Sequence, residues 1–297
     1  LRQLADVYRK VRNTSRYLLG NLHDFNPETD GIAVADLPLL DRWMLQRTAE
    51  VMDEITEAFE GYEFFRFFQL LQNFCVTDLS NFYLDIAKDR LYVSAPQDKR
   101  RRSCQTVMAL IIERLAGFIA PVLCHMAEDI WQNLPYRVQE TSVFQRGWPS
   151  APTEWRNDTL TAPVQQLRDL RAAVNKVLED CRGRQELGAS LEAAVRIEAR
   201  SPEMQAALSW LSDNADPEVD GLRDWLLVSQ LQLGGEPWAE VLASHDDELA
   251  SIEVSRARGT KCERCWHYEG DVGQHPEHPH ICGRCVGVLG RRTHQLA

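Results

Sequence analysis

The chain has 297 residues, a 44% hydrophobic fraction and a formal net charge of −11. That length suggests about two domains with ample material for a core. No run of about 18 apolar residues exists to span a bilayer, and no signal peptide opens the chain. The chain begins at Leu1, already inside a helical pattern, as expected of a piece of a longer polypeptide.

The first predicted helix covers residues 1–20, with Leu4, Val7, Tyr8, Val11, Ser15 and Leu18 at helical spacing and Gly20 as its end. Asp36-Leu37-Pro38 opens a second, with Leu40, Trp43, Met44, Val51, Ile55 and Phe59 on one side and Gly61 as the stop. Phe64, Phe67, Phe68, Leu71, Cys75, Leu79, Phe82 and Ile86 form a third stripe in steps of three and four, read as core packing. A fourth runs from Val107 through Leu110, Ile111, Leu115, Phe118 and Ile119, and Pro121 should kink or split it. Four long amphipathic segments with short connections predict an antiparallel bundle over residues 1–150.

Pro135, Gly147, Trp148, Pro149 and Pro152 then mark a linker or wrap-around segment. Val164, Leu167, Leu170, Val174, Val177 and Leu178 predict another helix. Leu191, Ala193, Val195 and Ile197 alternate with Glu192, Ala194, Arg196 and Glu198, the pattern of a half-buried strand. A second strand is expected over Trp225–Leu233, stopped by Gly234-Gly235. The fold class is therefore mainly α: a helical bundle, a small α/β module over 151–250 and a metal-binding segment over 251–297.

That last segment carries the strongest motif. Cys262, Cys265, Cys282 and Cys285 read C-x2-C-x16-C-x2-C, the ligand count and spacing of a tetrahedral zinc site. Four sulfurs leave no open position for water, so the expected metal is one structural Zn2+ and not a catalytic ion. Gly283 inside the second pair is expected to supply a positive φ. His267, His275, His278 and His280 lie in or near the spacer, where one of them could replace a cysteine. Two disulfides would require an oxidising compartment, whereas Cys75, Cys104, Cys124 and Cys181 stand singly and suit the reducing cytoplasm.

The acidic total hides a segregated charge. Residues 1–20 balance to +4, 88–102 to +4 and 256–297 to +3, whereas 196–250 hold three arginines against twelve carboxylates. Basic clusters beside a zinc knuckle point towards a polyanion, and a solvated helix face is the plainer reading of each cluster alone.

Several stretches have a family likeness: YRKVRNTSRYLLGNLHDFNP (8–27), LDRWMLQR (40–47), YEFFRFFQLLQNFCVTDLSNFYLDIAKDRLY (62–92) and RRSCQTVMALIIERLAGFIAPVLCHMAEDIWQNLP (101–135). They resemble the helical anticodon-binding domain of bacterial isoleucyl-tRNA synthetases. Residues 167–197 resemble that family's post-bundle module, and KCERCWHYEGDVG with HPHICGRCV (261–286) resembles its C-terminal zinc segment. Valyl and leucyl relatives share the bundle type without this ending.

The resemblance implies a cytoplasmic, monomeric class I ligase that activates isoleucine with ATP and transfers it to isoleucine tRNA. The family's His-Ile-Gly-His and Lys-Met-Ser-Lys-Ser signatures are absent from this sequence. The chain alone is thus expected to have no catalytic residues, to bind no ATP and to contribute tRNA binding to the catalytic and editing domains of the same polypeptide. Candidates for phosphate contact are Arg9, Lys10, Arg12 and Arg16 on the first helix, with Lys88 and Arg90 after the third. Arg42 and Trp43 open the second helix, where Trp43 is either core or a loop contact. Arg264, Trp266 and Arg284 flank the knuckles; Trp266 either stacks on a base or covers the zinc core, and Lys261, Arg264 and Arg284 partly offset the thiolate charge. The alternatives are a zinc-finger DNA glycosylase, for which Leu1-Arg2-Gln3 offers no amine nucleophile, and a zinc-ribbon nucleic-acid-binding or adaptor module with no synthetase role.

Overall fold

The structure, a computed structural model, describes residues 2–216 and 219–295, the side chains of 2–4 and 292–295 excepted. Two compact units emerge, one formed by residues up to Tyr92 with Pro96–Asn157, the other by Val93–Ala95 with Asp158 onward.

The first unit is helical. α1 (Arg2–Gly20) buries Val11, Ser15 and Leu18, while Tyr8 of the predicted stripe stays exposed. After the short α2 (Pro27–Asp30), α3 (Leu39–Glu60) starts behind Pro38 and ends at Gly61 as its sequence signals. Leu40, Trp43, Met44, Leu45, Val51 and Ile55 lie on its buried side, and Trp43 packs edge-on against Phe82 at 5.2 Å.

The third stripe is one rod in three parts: α4 (Phe64–Asn73), a π-helical stretch (Phe74–Tyr83) and α5 (Leu84–Val93). A π-helix closes its hydrogen bonds one residue later than an α-helix, and steps of three and four cannot anticipate it. Phe67, Leu71, Cys75, Leu79, Phe82 and Ile86 are buried, but Phe64 at the outer end is 47% exposed. Pro121 does split the next run, into α6 (Lys99–Ile119) and α7 (Cys124–Gln132), because it cannot donate the backbone bond that would join them.

In the second unit α8 (Thr161–Gly183) buries Val164, Leu167, Leu170, Val174, Val177 and Leu178, the apolar positions read from the sequence. It packs with α9 (Pro202–Asn214), which was not foreseen. The sheet has order β2-β1-β4-β3, where β1 is Ala193–Ala199, β2 Gln230–Leu233, β3 Ala243–Asp246 and β4 Ala250–Arg256. β1 pairs parallel to β2 and antiparallel to β4, and as a central strand it is buried on both faces, not one. Its polar face holds Arg196, 1% exposed, which bonds the carboxylates of Glu198 at 3.0 Å and Glu253 at 3.3 Å.

The strand expected over Trp225–Leu233 is half helix. Leu222–Leu226 forms α10, closed by Leu227 at φ 55°, and only Gln230–Leu233 is extended. Trp225 is buried within this helical turn, and its carbonyl accepts from Arg171 Nη1. The metal segment adds a small ladder, β5 (Thr260–Lys261) with β6 (Tyr268–Glu269), and the terminal α11 (Gly283–Gln295).

Candidate metal centre and nucleic-acid interface

The four tail cysteines converge. Their sulfurs all lie within 4.8 Å of one another and all four residues are buried. Cys262 Sγ stands 3.8 Å from Cys285 Sγ, and Cys265 Sγ 3.7 Å from Cys282 Sγ. Four sulfurs about 2.3 Å from a central zinc form a tetrahedron with edges of about 3.8 Å, so the cage fits the ion. A disulfide, at about 2.05 Å, does not fit these spacings.

The sulfurs also act on one another. Hydrogen bonds from Cys282 and then Cys285 push the Cys265 thiol far down, and the bond to Cys265 pushes Cys282 and Cys285 up. A zinc bound here would take all four sulfurs as thiolates.

The surrounding chain is shaped to hold this cage. Trp266 N–H donates to Cys262 O at 2.9 Å and Cys262 N–H to His267 O at 2.8 Å, closing the first knuckle. Cys282 N–H donates to Cys262 Sγ at 3.3 Å. Gly283 does not take a positive φ as expected; a Cβ there would stand 2.7 Å from Asp271 Oδ2, whose carboxylate accepts the Gly283 N–H at 2.7 Å. The left-handed residue of the motif is Trp266 itself, at φ 68°. Gly259, at φ 100°, is required as well, since a Cβ would meet Glu269 O at 2.5 Å. Val93, Val272 and Ile281 close the small core, while Trp266 is 61% exposed beneath Lys261 Nζ at 5.6 Å. No histidine joins the sulfur cluster among the described residues. His275 pairs with Asp271 at 3.4 Å, and His267 is buried and hydrogen-bonds Cys265.

Arg264 is tied down: Nη1 reaches Cys285 Sγ at 3.6 Å and Nη2 reaches Val93 O at 2.6 Å. Arg284 hydrogen-bonds Cys265. Both arginines therefore lie against sulfurs of the cage.

The two basic clusters of the helical unit diverge. Arg9, Lys10, Arg12 and Arg16 are all exposed on α1, with Arg9 paired only to neighbouring Asp6. Arg2 of that cluster has its side chain outside the described residues. Residues 88–102 are largely interior instead. Arg90 is 1% exposed and bonded to Asp41, with its Nε donating to Arg100 O at 3.1 Å. Arg101 clamps Asp24 through two bonds of 2.6 and 2.8 Å, Arg102 reaches Asp24 O at 2.9 Å, and Arg100 meets Asp89 at 3.3 Å. This cluster is internal mortar. Lys88 and Lys99 remain exposed.

Lys10 and Lys88 come together. With Asn13, Thr14, Tyr17, Val76, Ser80, Asn81 and Leu84 they line a groove of about 400 Å³ between α1 and the π-helical stretch running into α5. The π-turn explains its floor: Ser80 Oγ donates to Cys75 O at 2.7 Å and stands 3.1 Å from Thr14 Oγ1, so two hydroxyls serve a carbonyl that α-helical bonding would have engaged. Asn13 and Asn81 make no side-chain hydrogen bond within the described residues, leaving two amide edges for a ligand. The sequence singled out the lysines but neither asparagine, because the π register that turns Asn81 towards α1 leaves no periodic trace. Trp43 is core, 4% exposed. Arg42, beside it, is half-buried and lines a different cavity.

A family model for the anticodon-binding domain of tRNA ligase matches residues 41–197. The chain belongs to that family. A second model, for the zinc finger found in FPG and IleRS, matches residues 259–287 and so spans all four cysteines. The chain is 92% identical over 296 residues to the isoleucine–tRNA ligase of Parasynechococcus marenigrum (strain WH8102), which covers 100% of this chain and 30% of that protein. It is 76% identical to the isoleucine–tRNA ligases of Synechococcus sp. (strain CC9311) and Prochlorococcus marinus (strain MIT 9313), over 98% and 97% of its length and 30% of theirs. It thus spans about a third of the length of the curated relatives it matches. Among the described residues no helix is long and apolar enough to cross a membrane.

Proposed function

We propose that this anticodon-binding domain recognises the anticodon arm of isoleucine tRNA as part of a cytoplasmic, monomeric class I isoleucine–tRNA ligase. ATP, isoleucine and the chemistry belong to catalytic and editing domains of the same polypeptide. The helices of residues 1–150 form the antiparallel anticodon bundle of this class, residues 151–250 a junction module, and 251–297 a segment held by structural zinc. The chain's own residues bind and position RNA, and no bond is made or broken on them. The kinship to isoleucine–tRNA ligases over the full length supports this reading and lends none to an adaptor without a synthetase role.

The observation that carries it is the α1 groove. Lys10 and Lys88 place ammonium groups at its rim for phosphates, Asn13 and Asn81 offer amide edges of the kind that read unpaired bases, and Arg9, Arg12 and Arg16 extend the positive face along α1. Exposed Trp266, its ring held at the knuckle, is a further stacking surface.

The test is binding of the zinc-loaded chain to isoleucine and valine tRNA transcripts at fixed salt. Preference for the isoleucine transcript, lost in the Asn81→Ala variant, is the expected result. Equal affinity for both, unchanged by Lys10→Gln and Lys88→Gln, would refute it.

A further inference from the structure

A second cavity of the helical unit, of about 350 Å³, is lined by Ala33, Val34, Ala35, Arg42, Glu154, Trp155, Arg156 and Asn157. Its two arginines are in opposite states. The Arg156 guanidinium is held by both oxygens of Asp53, at 2.7 and 3.0 Å. The Arg42 side chain has neither ion pair nor hydrogen bond within the described residues, and while its Nε is sealed from solvent its terminal nitrogens are not. Those terminal nitrogens are donors with no acceptor among the described residues, open to one that a ligand brings.

The cavity walls indicate what that partner is. Arg42 stands in the first turn of α3, whose N-cap Pro38 makes no side-chain capping bond, so the helix dipole adds to its positive charge. Ile32 N–H is fixed on Thr106 Oγ1 at 3.1 Å, anchoring the Ala33–Ala35 wall across the slot. Trp155 is 2% exposed, with the Arg114 guanidinium 5.0 Å from its ring centroid, and makes a rigid side to the cavity. The volume exceeds what one carboxylate fills and is of the size that takes a phosphate with its attached sugar.

We propose that this slot is a second RNA contact, separate from the α1 groove, in which Arg42 forks onto one backbone phosphate of the bound tRNA. The proposal rests on the tRNA-binding reading above. A planar guanidinium engages two phosphate oxygens at once, which an ammonium cannot do.

The test compares Arg42→Met and Arg42→Lys with Lys10→Gln in the full zinc-loaded chain, titrating an isoleucine tRNA transcript from about 50 to 200 mM salt. Arg42→Met should weaken binding about tenfold and flatten the log–log salt slope by about 0.7–0.9, one phosphate's worth, without lowering the thermal midpoint, because the guanidinium has no internal partner to lose. Arg42→Lys should restore the slope but not the full affinity. If Arg42→Met leaves affinity and slope unchanged while Lys10→Gln reduces both, the slot is no RNA site and the groove stands. If the midpoint falls with no change in slope, Arg42 is structural and the proposal is wrong. If the parent chain binds no tRNA, both readings fall together.

Discussion

Asp41 and Arg90 form an ion pair with side chains 0% and 2% exposed in the helical unit, and the Tyr83 hydroxyl completes the bonding of the carboxylate. Two charges this deep have surrendered their hydration, and only each other's presence compensates. Asp41→Asn keeps the shape and the Tyr83 bond but leaves the Arg90 cation uncompensated, which should cost about 3–5 kcal/mol. Arg90→Met strands the carboxylate at a similar cost. Replacing both, as Asp41→Leu with Arg90→Met, removes both charges and takes partners from the Tyr83 hydroxyl and the Arg100 carbonyl, so the double variant should lose about 1–3 kcal/mol, far below the sum of the singles. At a urea m-value of about 2 kcal/mol/M the single variants should lower the midpoint by about 2 M, read by circular dichroism at 222 nm. Singles that cost under about 1 kcal/mol, or a double that equals their sum, would refute the claim that this basic residue is architecture. Lys10→Gln should leave the same midpoint unmoved, separating a stability cation from a binding one.

Three further outcomes are expected. Cys282→Ser, or zinc removal by a chelator, should free roughly the last 35 residues for limited proteolysis while the helical unit melts as before, since so small a core has little stability without its ion. Gly283→Ala should speed zinc loss to a chromogenic chelator, because the added methyl displaces the Asp271 carboxylate that anchors the second knuckle. Burial alone would raise the Asp24 carboxyl, but hydrogen bonds from Arg101 and Gln105 and the charges of Arg101 and Arg102 hold it at about 2 against the ordinary 3.8. A lowered carboxyl contributes stability that is full above about pH 4 and lost as pH falls towards 2, so Asp24→Asn should cost about 1–2 kcal/mol at pH 7, after discounting for its partial exposure, and almost nothing near pH 2. An Asn variant whose deficit is independent of pH would contradict that linkage.

The metal cage was legible because spacing alone brings four sulfurs to one point, and the long helices because their apolar stripes repeat over many turns. Sequence failed where a residue's role depends on distant partners. Arg100, Arg101 and Arg102 read as a charge run, yet their counter-charges Asp89, Asp24 and Asp30 come from α5 and from the segment after α1, which no local pattern reveals. Trp225 and Leu226 read as strand because burial, not alternation, makes that stretch apolar. β3 and β4 went unseen because only Ala250, Ile252 and Val254 face inward there, too short an alternation to stand out. Gly283 was singled out for a positive φ that it does not adopt; the Asp271 carboxylate that leaves no room for a Cβ there is twelve residues away and invisible in the motif.

The π-helical stretch has a consequence for how this domain tolerates change in length. Residues of an α-helix advance about 100° around the axis, and π residues advance less, so everything after Tyr83 is rotated relative to the phase set by α4. Lys88 looks into the groove because of that accumulated lag. Deleting a single residue between Phe74 and Tyr83 would let the rod relax towards uniform α pitch and swing Lys88 away from Lys10, together with the seating of Ile86 and Arg90. The stretch acts as a fixed angular offset between two halves of one helix, and a gap of one residue there would damage binding and folding more than most substitutions of side chain.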